Sequence, residues 1–207
     1  MTRFSLIFLM VAGVLLTCTA CKKEASETVI PPLETKTHKN LAAPGDVVDR
    51  ATGKVIQENP YVYFSLEKGT TVSKSENWDI GFKGTSIIFN SGISGSGQAG
   101  AVIKTGVFEE LTTAPESEEF RQDSNEGLAV PAGSNNGWYN YAGPPSHLIT
   151  PIAGKVIMVK TFDGKYAKVE ILSYYKDAPA TPDAFKDQSA TYTFRYMYQA
   201  DGSKNLK

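Results

Sequence analysis

An Asp-Gly pair between two β-rich runs constrains the fold of this chain more than any other feature. The runs cover residues 155–162 and 165–172, on either side of Asp163-Gly164. Both turn residues accept the positive φ of a two-residue hairpin turn, which is the strongest short-range hairpin signal. Such a turn places Met158 opposite Val169, and the resulting alternation puts Met158 on the face that packs against the core.

Other short runs combine aromatic and β-branched residues, which is typical of strands. These runs cover residues 61–66, 78–82, 85–89, 101–104, 138–141 and 191–198. Two short stretches near 108–111 and 115–122 suit helices, but no long segment has a 3.6-residue period. We therefore predict an all-β fold, a mainly antiparallel sandwich or a partly closed barrel, with one or two short helices at most.

The N-terminus has the features of an export signal followed by a lipid-attachment site. Arg3 precedes an uncharged apolar run over residues 6–16, and small residues lead to Cys21. The run is shorter than the roughly 20 residues that a membrane-spanning helix needs. We predict a signal peptide over residues 1–20 and acylation of Cys21, which would bind the protein to a membrane through its acyl chains. Ordinary secretory cleavage near Ala20 is the alternative.

The residues after Cys21 indicate a destination and a domain boundary. No Asp follows the Cys, where it would resemble an inner-membrane retention signal, so the outer membrane is favoured, with exposure at the cell surface as a further option. Residues 21–45 contain several Pro and polar residues without periodicity, which predicts a lipid-anchored flexible tether that includes His38. Residues 46–207 are then a single β domain.

Composition and motifs exclude several classes of function. A formal net charge of -1 gives no basic field for nucleic acid. Residues 95–100 satisfy G-x-G-x-x-G, but a strand-like run follows where a dinucleotide site needs a helix, so a glycine-rich connection between strands is the better interpretation. With two His in the chain and no H-E-x-x-H or G-x-S-x-G motif, we predict a binding protein and not an enzyme.

The candidate ligand-binding residues cluster in the middle of the domain. Trp138, Tyr139 and Tyr141 lie between Gly137 and a Gly-Pro-Pro stretch, and His147 follows closely. Aromatic side chains on a loop can form a wall for a planar or apolar ligand. The alternative is ordinary packing of the aromatic residues in the core, with His147 as a hydrogen-bonded residue at the start of a strand.

Four stretches resemble the HmuY-like family of bacterial haem-binding lipoproteins, in the right order across roughly residues 60–200. They are Asn77-Trp-Asp-Ile-Gly-Phe82, the glycine-rich piece from Asn90 to Val102, Gly137-Trp138, and the segment from Val156 through Tyr174. The resemblance implies a mostly β fold, a lipid anchor in the outer membrane, and haem uptake by delivery to a TonB-dependent receptor. A lipoprotein of the same fold that does not bind haem is the alternative.

The sequence departs from the pair of His ligands that the resemblance implies. One of these positions falls near Gly143, which cannot ligate iron, and the segment of the other, residues 120–136, contains no His. His147 is then the imidazole predicted to coordinate haem iron, either in a five-coordinate complex or with Tyr141 or Met197 as a second ligand.

Overall fold

The computed structural model describes residues 32–207, so the predicted signal peptide and Cys21 lie outside the described residues. The described chain is nearly all β, as predicted. Its strands are β1 (Thr35–Ala42), β2 (Val47–Val48), β3 (Val55–Gln57), β4 (Val62–Ser65), β5 (Thr70–Val72), β6 (Ile80–Lys83), β7 (Ser86–Phe89), β8 (Gly100–Thr105), β9 (Tyr139–Tyr141), β10 (Ile149–Pro151), β11 (Lys155–Lys160), β12 (Tyr166–Ser173) and β13 (Thr191–Gln199). Of the two predicted helical stretches, residues 108–110 form a turn and Ser117–Glu119 form a single 3-10 turn.

Two antiparallel sheets pack face to face. One has five strands in the order β1-β13-β12-β11-β8, and the other has four in the order β5-β4-β6-β7. Alternation along β13 turns its aromatic residues inward, where Phe194 contacts Phe64 with ring centroids 5.2 Å apart and Phe82 at 5.5 Å. Two further pairs, β2-β3 and β9-β10, stand outside these sheets. Over residues 32–207 the architecture is a sandwich, and neither sheet closes into a barrel.

The predicted tether is wrong over residues 35–42, which form an edge strand of the five-stranded sheet. β1 pairs antiparallel with β13, with Leu41 opposite Tyr192. His38 is half-buried and its ring lies 4.9 Å from that of Phe64, so it is a residue of the domain and not of a linker. Burial lowers the pKa of His38, partly offset by a hydrogen bond to the Gly69 backbone. The domain therefore begins before residue 46, because the edge of β13 is covered by this strand.

The hairpin at Asp163-Gly164 exists, but its predicted register is wrong by one residue. The loop has three residues instead of two, because the Thr161 N–H donates to the Lys165 carbonyl at 2.8 Å and the Thr161 hydroxyl accepts the Lys165 N–H at 2.8 Å. Gly164 adopts φ +87° to close it. A shift of one residue exchanges the two faces of a strand. Met158 consequently lies opposite Lys168 and faces away from the main core.

The outer face of the five-stranded sheet carries a second, smaller core. Val156, Met158 and Tyr166 pack there beneath Phe108 and Leu206. The buried Lys168 also points to this side.

Lys168 fixes the chain that covers this second core. Its Nζ donates to the carbonyl of Phe108 at 2.7 Å and to that of Leu111 at 3.0 Å, and it lies 4.6 Å from the centre of the Phe108 ring. Arg195 stacks on the same ring at 4.4 Å. Burial lowers the pKa of Lys168.

Buried Asp side chains join backbone segments that are distant along the chain. Asp79 accepts the backbone N–H groups of Leu66 at 2.8 Å and Phe162 at 3.1 Å, which joins the end of β4 to the β11-β12 hairpin. Asp123 accepts the N–H groups of Phe89 and Ala129, each at 2.8 Å.

The glycine-rich piece winds around Asn90. The Asn90 amide donates to the Trp78 carbonyl at 2.9 Å and its oxygen accepts the Gly97 N–H at 3.0 Å. A Cβ on Gly92, where φ is +53°, would lie 1.8 Å from the Asp123 carbonyl oxygen. The glycines therefore permit close backbone packing, and β8 follows them, as predicted for a connection between strands.

Candidate functional site

The structure separates the predicted aromatic cluster into a buried part and an exposed part. Trp138 and Tyr139 are buried, and Trp138 donates its indole N–H to the Thr85 carbonyl at 3.0 Å. The Trp138 ring also contacts Tyr192 at a centroid distance of 5.3 Å. These contacts attach β9 to the sandwich core. Trp138 and Tyr139 are therefore packing residues in this structure and present no wall to a ligand, which corrects that part of the expected site.

Tyr141 and His147 are exposed and contact each other. Tyr141 lies on β9 opposite Ile149 of β10, so the loop between the two strands brings His147 back beside it. The Tyr141 hydroxyl lies 2.5 Å from His147 Nδ1, within hydrogen-bonding distance. Tyr141 keeps 41% of its surface exposed. Tyr141 ends β9 and His147 lies in the loop that follows, so the structure brings together a phenol and an imidazole.

The backbone around this pair is fixed by local hydrogen bonds. His147 has φ +53°, and its N–H donates to the Gly143 carbonyl at 2.8 Å. The Tyr141 N–H donates to the Ser134 hydroxyl at 2.8 Å. Behind the pair, the Ile149 N–H donates to the hydroxyl of the buried Tyr175 at 3.0 Å. The pair is thus held by the loop, the strand and the core beneath them.

Phe185 completes the exposed aromatic group and was not predicted. Its ring is perpendicular to that of His147 at a centroid distance of 5.8 Å, and 72% of its surface is exposed. Two reciprocal hydrogen bonds close the turn that carries Phe185. The Asp183 N–H donates to the Asp187 carboxylate and the Asp187 N–H donates to the Asp183 carbonyl, each at 2.8 Å. A polar turn therefore holds a large apolar ring in solvent.

These residues line two adjoining clefts that share Phe185. The first has a volume of about 540 Å³ and is lined by Arg50, Tyr141, His147, Ile149, Tyr175, Ala184, Phe185 and Ser189. The second, of about 600 Å³, lies between residues 146–148 and 181–187. Both volumes fall in the range of small-molecule sites, roughly 300 to 1,000 Å³. Arg50 adds a positive charge to the first cleft.

The first cleft presents two side chains that can donate to a metal, aromatic surface and a positive charge. Within residues 32–207 no group of three or more His, Cys, Asp or Glu side chains could hold a bare metal ion. Tyr141 and His147 offer one oxygen and one nitrogen donor, a set that can serve a metal already held by a macrocycle. The aromatic rings provide stacking surface, and Arg50 can pair with a carboxylate.

Met197, the other predicted second ligand, is distant from this cleft in the fold. It lies on the outer face of β13 and packs against the second core, as does Met158. Because Tyr141 and His147 are at the β9-β10 loop, neither Met can share a ligand with them without refolding of the sheet.

Within the described residues no helix is long and apolar enough to cross a bilayer.

Comparison with known proteins identifies the family. The chain matches the HmuY protein family over residues 57–196, which is more than half of its length, and it belongs to this family. No curated protein is significantly similar to it.

Solved structures that match this chain include three bacterial proteins. A Bacteroides vulgatus protein described as HmuY-like and haem-binding has 17% sequence identity and a TM-score of 0.47, over 67% of this chain and 85% of that one. A Bacteroides fragilis protein described as a lipoprotein has 16% identity and a TM-score of 0.45, over 67% and 84%. The apo form of an HmuY analogue from Tannerella forsythia has 15% identity and a TM-score of 0.43, over 83% and 98%.

Proposed function

We propose that this protein is a lipid-anchored binding protein, not an enzyme, which takes up haem or a related planar ligand in the cleft beside Tyr141 and His147. The observation that carries the proposal is the contact between these two side chains, both of types that can ligate iron, beside the exposed ring of Phe185. Membership of the HmuY family, whose members bind haem, supports the ligand class. Arg50 lines the same cleft and would pair with the carboxylates that haem carries.

The proposed route of uptake follows from the N-terminus and the family. Acylated Cys21 would hold the domain at the outer membrane, facing the cell surface, and the loaded domain would pass haem to a TonB-dependent receptor. Palmitate labelling of the wild type and Cys21→Ala tests the anchor. Loss of label together with an uncleaved precursor supports it, whereas normal processing and release of Cys21→Ala would show ordinary secretory cleavage.

A haemin titration of the soluble chain that starts at residue 22 tests ligand binding. This start keeps β1, which pairs with β13. We expect a saturable shift of the visible absorbance, and a loss of affinity of at least about tenfold, or 1.4 kcal/mol, in His147→Ala. Circular dichroism of the variant should stay β-type, because His147 is exposed. A titration of the wild type that does not saturate would favour the alternative, a structural or interaction lipoprotein of the same fold.

A further inference from the structure

We infer that the atom of this protein that bonds ferric haem iron is the phenolate oxygen of Tyr141, and that His147 is the positioning residue that holds it. The inference rests on the proposed haem cleft and names the ligand atom within it. Both residues line the cleft, and their contact joins the Tyr141 oxygen to His147 Nδ1 at 2.5 Å. Phenolate is an established protein ligand of haem iron.

The two side chains differ in how the fold supports them. Tyr141 belongs to a regular strand, β9, which pairs with β10 and continues directly from the buried Trp138 and Tyr139. His147 lies at φ +53° in the loop. A ligand atom needs a rigid support, whereas a residue that orients it needs only to keep one hydrogen bond. This favours Tyr141 as the ligand and His147 as its partner.

The contact between the pair also supplies what a phenol needs in order to ligate. The Tyr141 oxygen can bond Fe(III) strongly only after its proton has left. In the bonding step the Tyr141 O–Fe(III) bond forms, the axial water of aqueous haemin leaves, and the phenol proton passes to His147 Nδ1. The iron stays ferric throughout, so no oxidant or reductant is required.

A direct bond from His147 to iron would use the cleft differently. Because His147 Nδ1 contacts the Tyr141 hydroxyl, only Nε2 would remain to bond the iron. The Tyr141 hydroxyl would then be the hydrogen-bond partner of the imidazole. The two arrangements predict opposite results for two conservative variants. Tyr141→Phe keeps the ring and removes the oxygen. His147→Asn keeps a hydrogen-bond acceptor at nearly the same distance from the backbone, and Asn tolerates positive φ.

The test uses the soluble chain from residue 22 with two probes, ferric haemin and metal-free protoporphyrin. We expect resonance Raman spectra of the haemin complex to show iron-phenolate bands in the wild type and in His147→Asn, and none in Tyr141→Phe. Tyr141→Phe should weaken haemin binding at least about tenfold. The affinity of Tyr141→Phe for metal-free protoporphyrin should stay within about twofold of the wild-type affinity, because stacking in the cleft remains. Tyr139→Phe, on the same strand but buried, is the matched control and should retain the bands.

The possible failures are distinguishable. If the wild type binds haemin with a nitrogen-ligated spectrum that survives Tyr141→Phe and disappears in His147→Asn, the ligand is His147 and this inference is wrong, although the proposed function stands. If haemin binds and neither variant changes the spectrum, the iron lies elsewhere and the cleft is wrongly assigned. If the wild type does not bind haemin saturably, the proposed function fails and the inference fails with it.

Discussion

Asp79 should make the stability of this protein fall as the pH rises from about 4 to about 6. Its side chain is 1% exposed, and burial raises the pKa of Asp79 to about 6, although its two backbone hydrogen bonds act in the opposite direction. The unfolded chain has an ordinary Asp pKa of about 3.9. A folded pKa above the unfolded value means that the native state binds the proton more tightly, so the contribution to stability is present at low pH and is lost as the pH rises.

The difference of about two pKa units corresponds to about 3 kcal/mol, at about 1.36 kcal/mol per unit. Asp79→Asn cannot titrate, so the free energy of unfolding of the wild type, measured relative to this variant, should fall by about 2 kcal/mol between about pH 4 and about pH 7, because part of the full difference lies below pH 4. The measurement is urea denaturation of both proteins across this range, with the soluble chain from residue 22. Taking the difference removes the contribution of every other titrating group.

Asp46→Asn is the matched control with the opposite sign. Asp46 forms a salt bridge with Lys83 at 3.0 Å, and the pKa of Asp46 is lowered, chiefly by the backbone N–H of Asn59. The wild type should therefore gain stability relative to Asp46→Asn as the pH rises through the acidic range, and lose it as the pH falls. If the difference between the wild type and Asp79→Asn stays constant across the range, Asp79 does not titrate there and the argument from its burial is refuted.

Three further predictions test the fold. Lys168→Met should lower the free energy of unfolding by about 1–3 kcal/mol, because the buried Phe108 carbonyl and the partly buried Leu111 carbonyl lose their donor. Lys160→Met on the neighbouring strand should change little, and equal effects would contradict the role of Lys168. Gly92→Ala should lower the free energy of unfolding by more than about 2 kcal/mol, because the added Cβ would clash with the Asp123 backbone. Gly53→Ala, at φ +71° in open space, should lower it by about 1 kcal/mol, and urea unfolding of both variants compares them. A chain that starts at residue 46 lacks β1 and the buried Leu41, so its free energy of unfolding should fall by about 2–5 kcal/mol and it should associate through the open edge of β13. Denaturation and size-exclusion chromatography measure the two effects, and a monomer of unchanged stability would restore the tether interpretation.

The strands were predictable where side chains alone signal burial. Runs such as residues 191–198 alternate aromatic and polar residues, and the observed β13 turns Tyr192 and Phe194 inward as expected. β1 was not predictable in this way. It is an edge strand in which His38 and Leu41 are the residues turned toward the core, so its sequence looks like a solvated linker. Residues 35–42 form a strand because they pair with the free edge of β13, which lies about 150 residues further along the chain. That edge has no signature in the local sequence of β1.

The register of the central hairpin shows a different limit. Asp163-Gly164 correctly marks the turn, but the number of residues in the loop depends on the Thr161 hydroxyl, which accepts the Lys165 N–H. This register decides which face of β11 joins Val169 of β12 in the main core. Met158 was predicted to face the main core, and in the structure it packs in the second core instead.

The candidate site was half predictable for a related reason. Tyr141 and His147 lie six residues apart in the sequence, and both were predicted as candidate ligand-binding residues. Phe185 comes from a polar turn about 40 residues later. The signal that could have found it is an aromatic residue among turn-forming residues such as Pro182 and Asp183, where solvent exposure is expected.

The residues that carry the family resemblance build the sandwich and leave its ligand chemistry open. Asp79 and Asn90 fix the glycine-rich piece and the hairpin through backbone hydrogen bonds. Gly137 lies so close to the Pro131 carbonyl that a Cβ would stand 2.3 Å from it, and Trp138 beside it is buried. None of these side chains lines the cleft, where the exposed pair of Tyr141, at the end of β9, and His147, in the following loop, lies outside both large sheets. Because loops change without disturbing a packed core, the same sandwich can carry different iron ligands. Family membership therefore establishes the scaffold, and the donor set of this chain has to be measured at its own cleft.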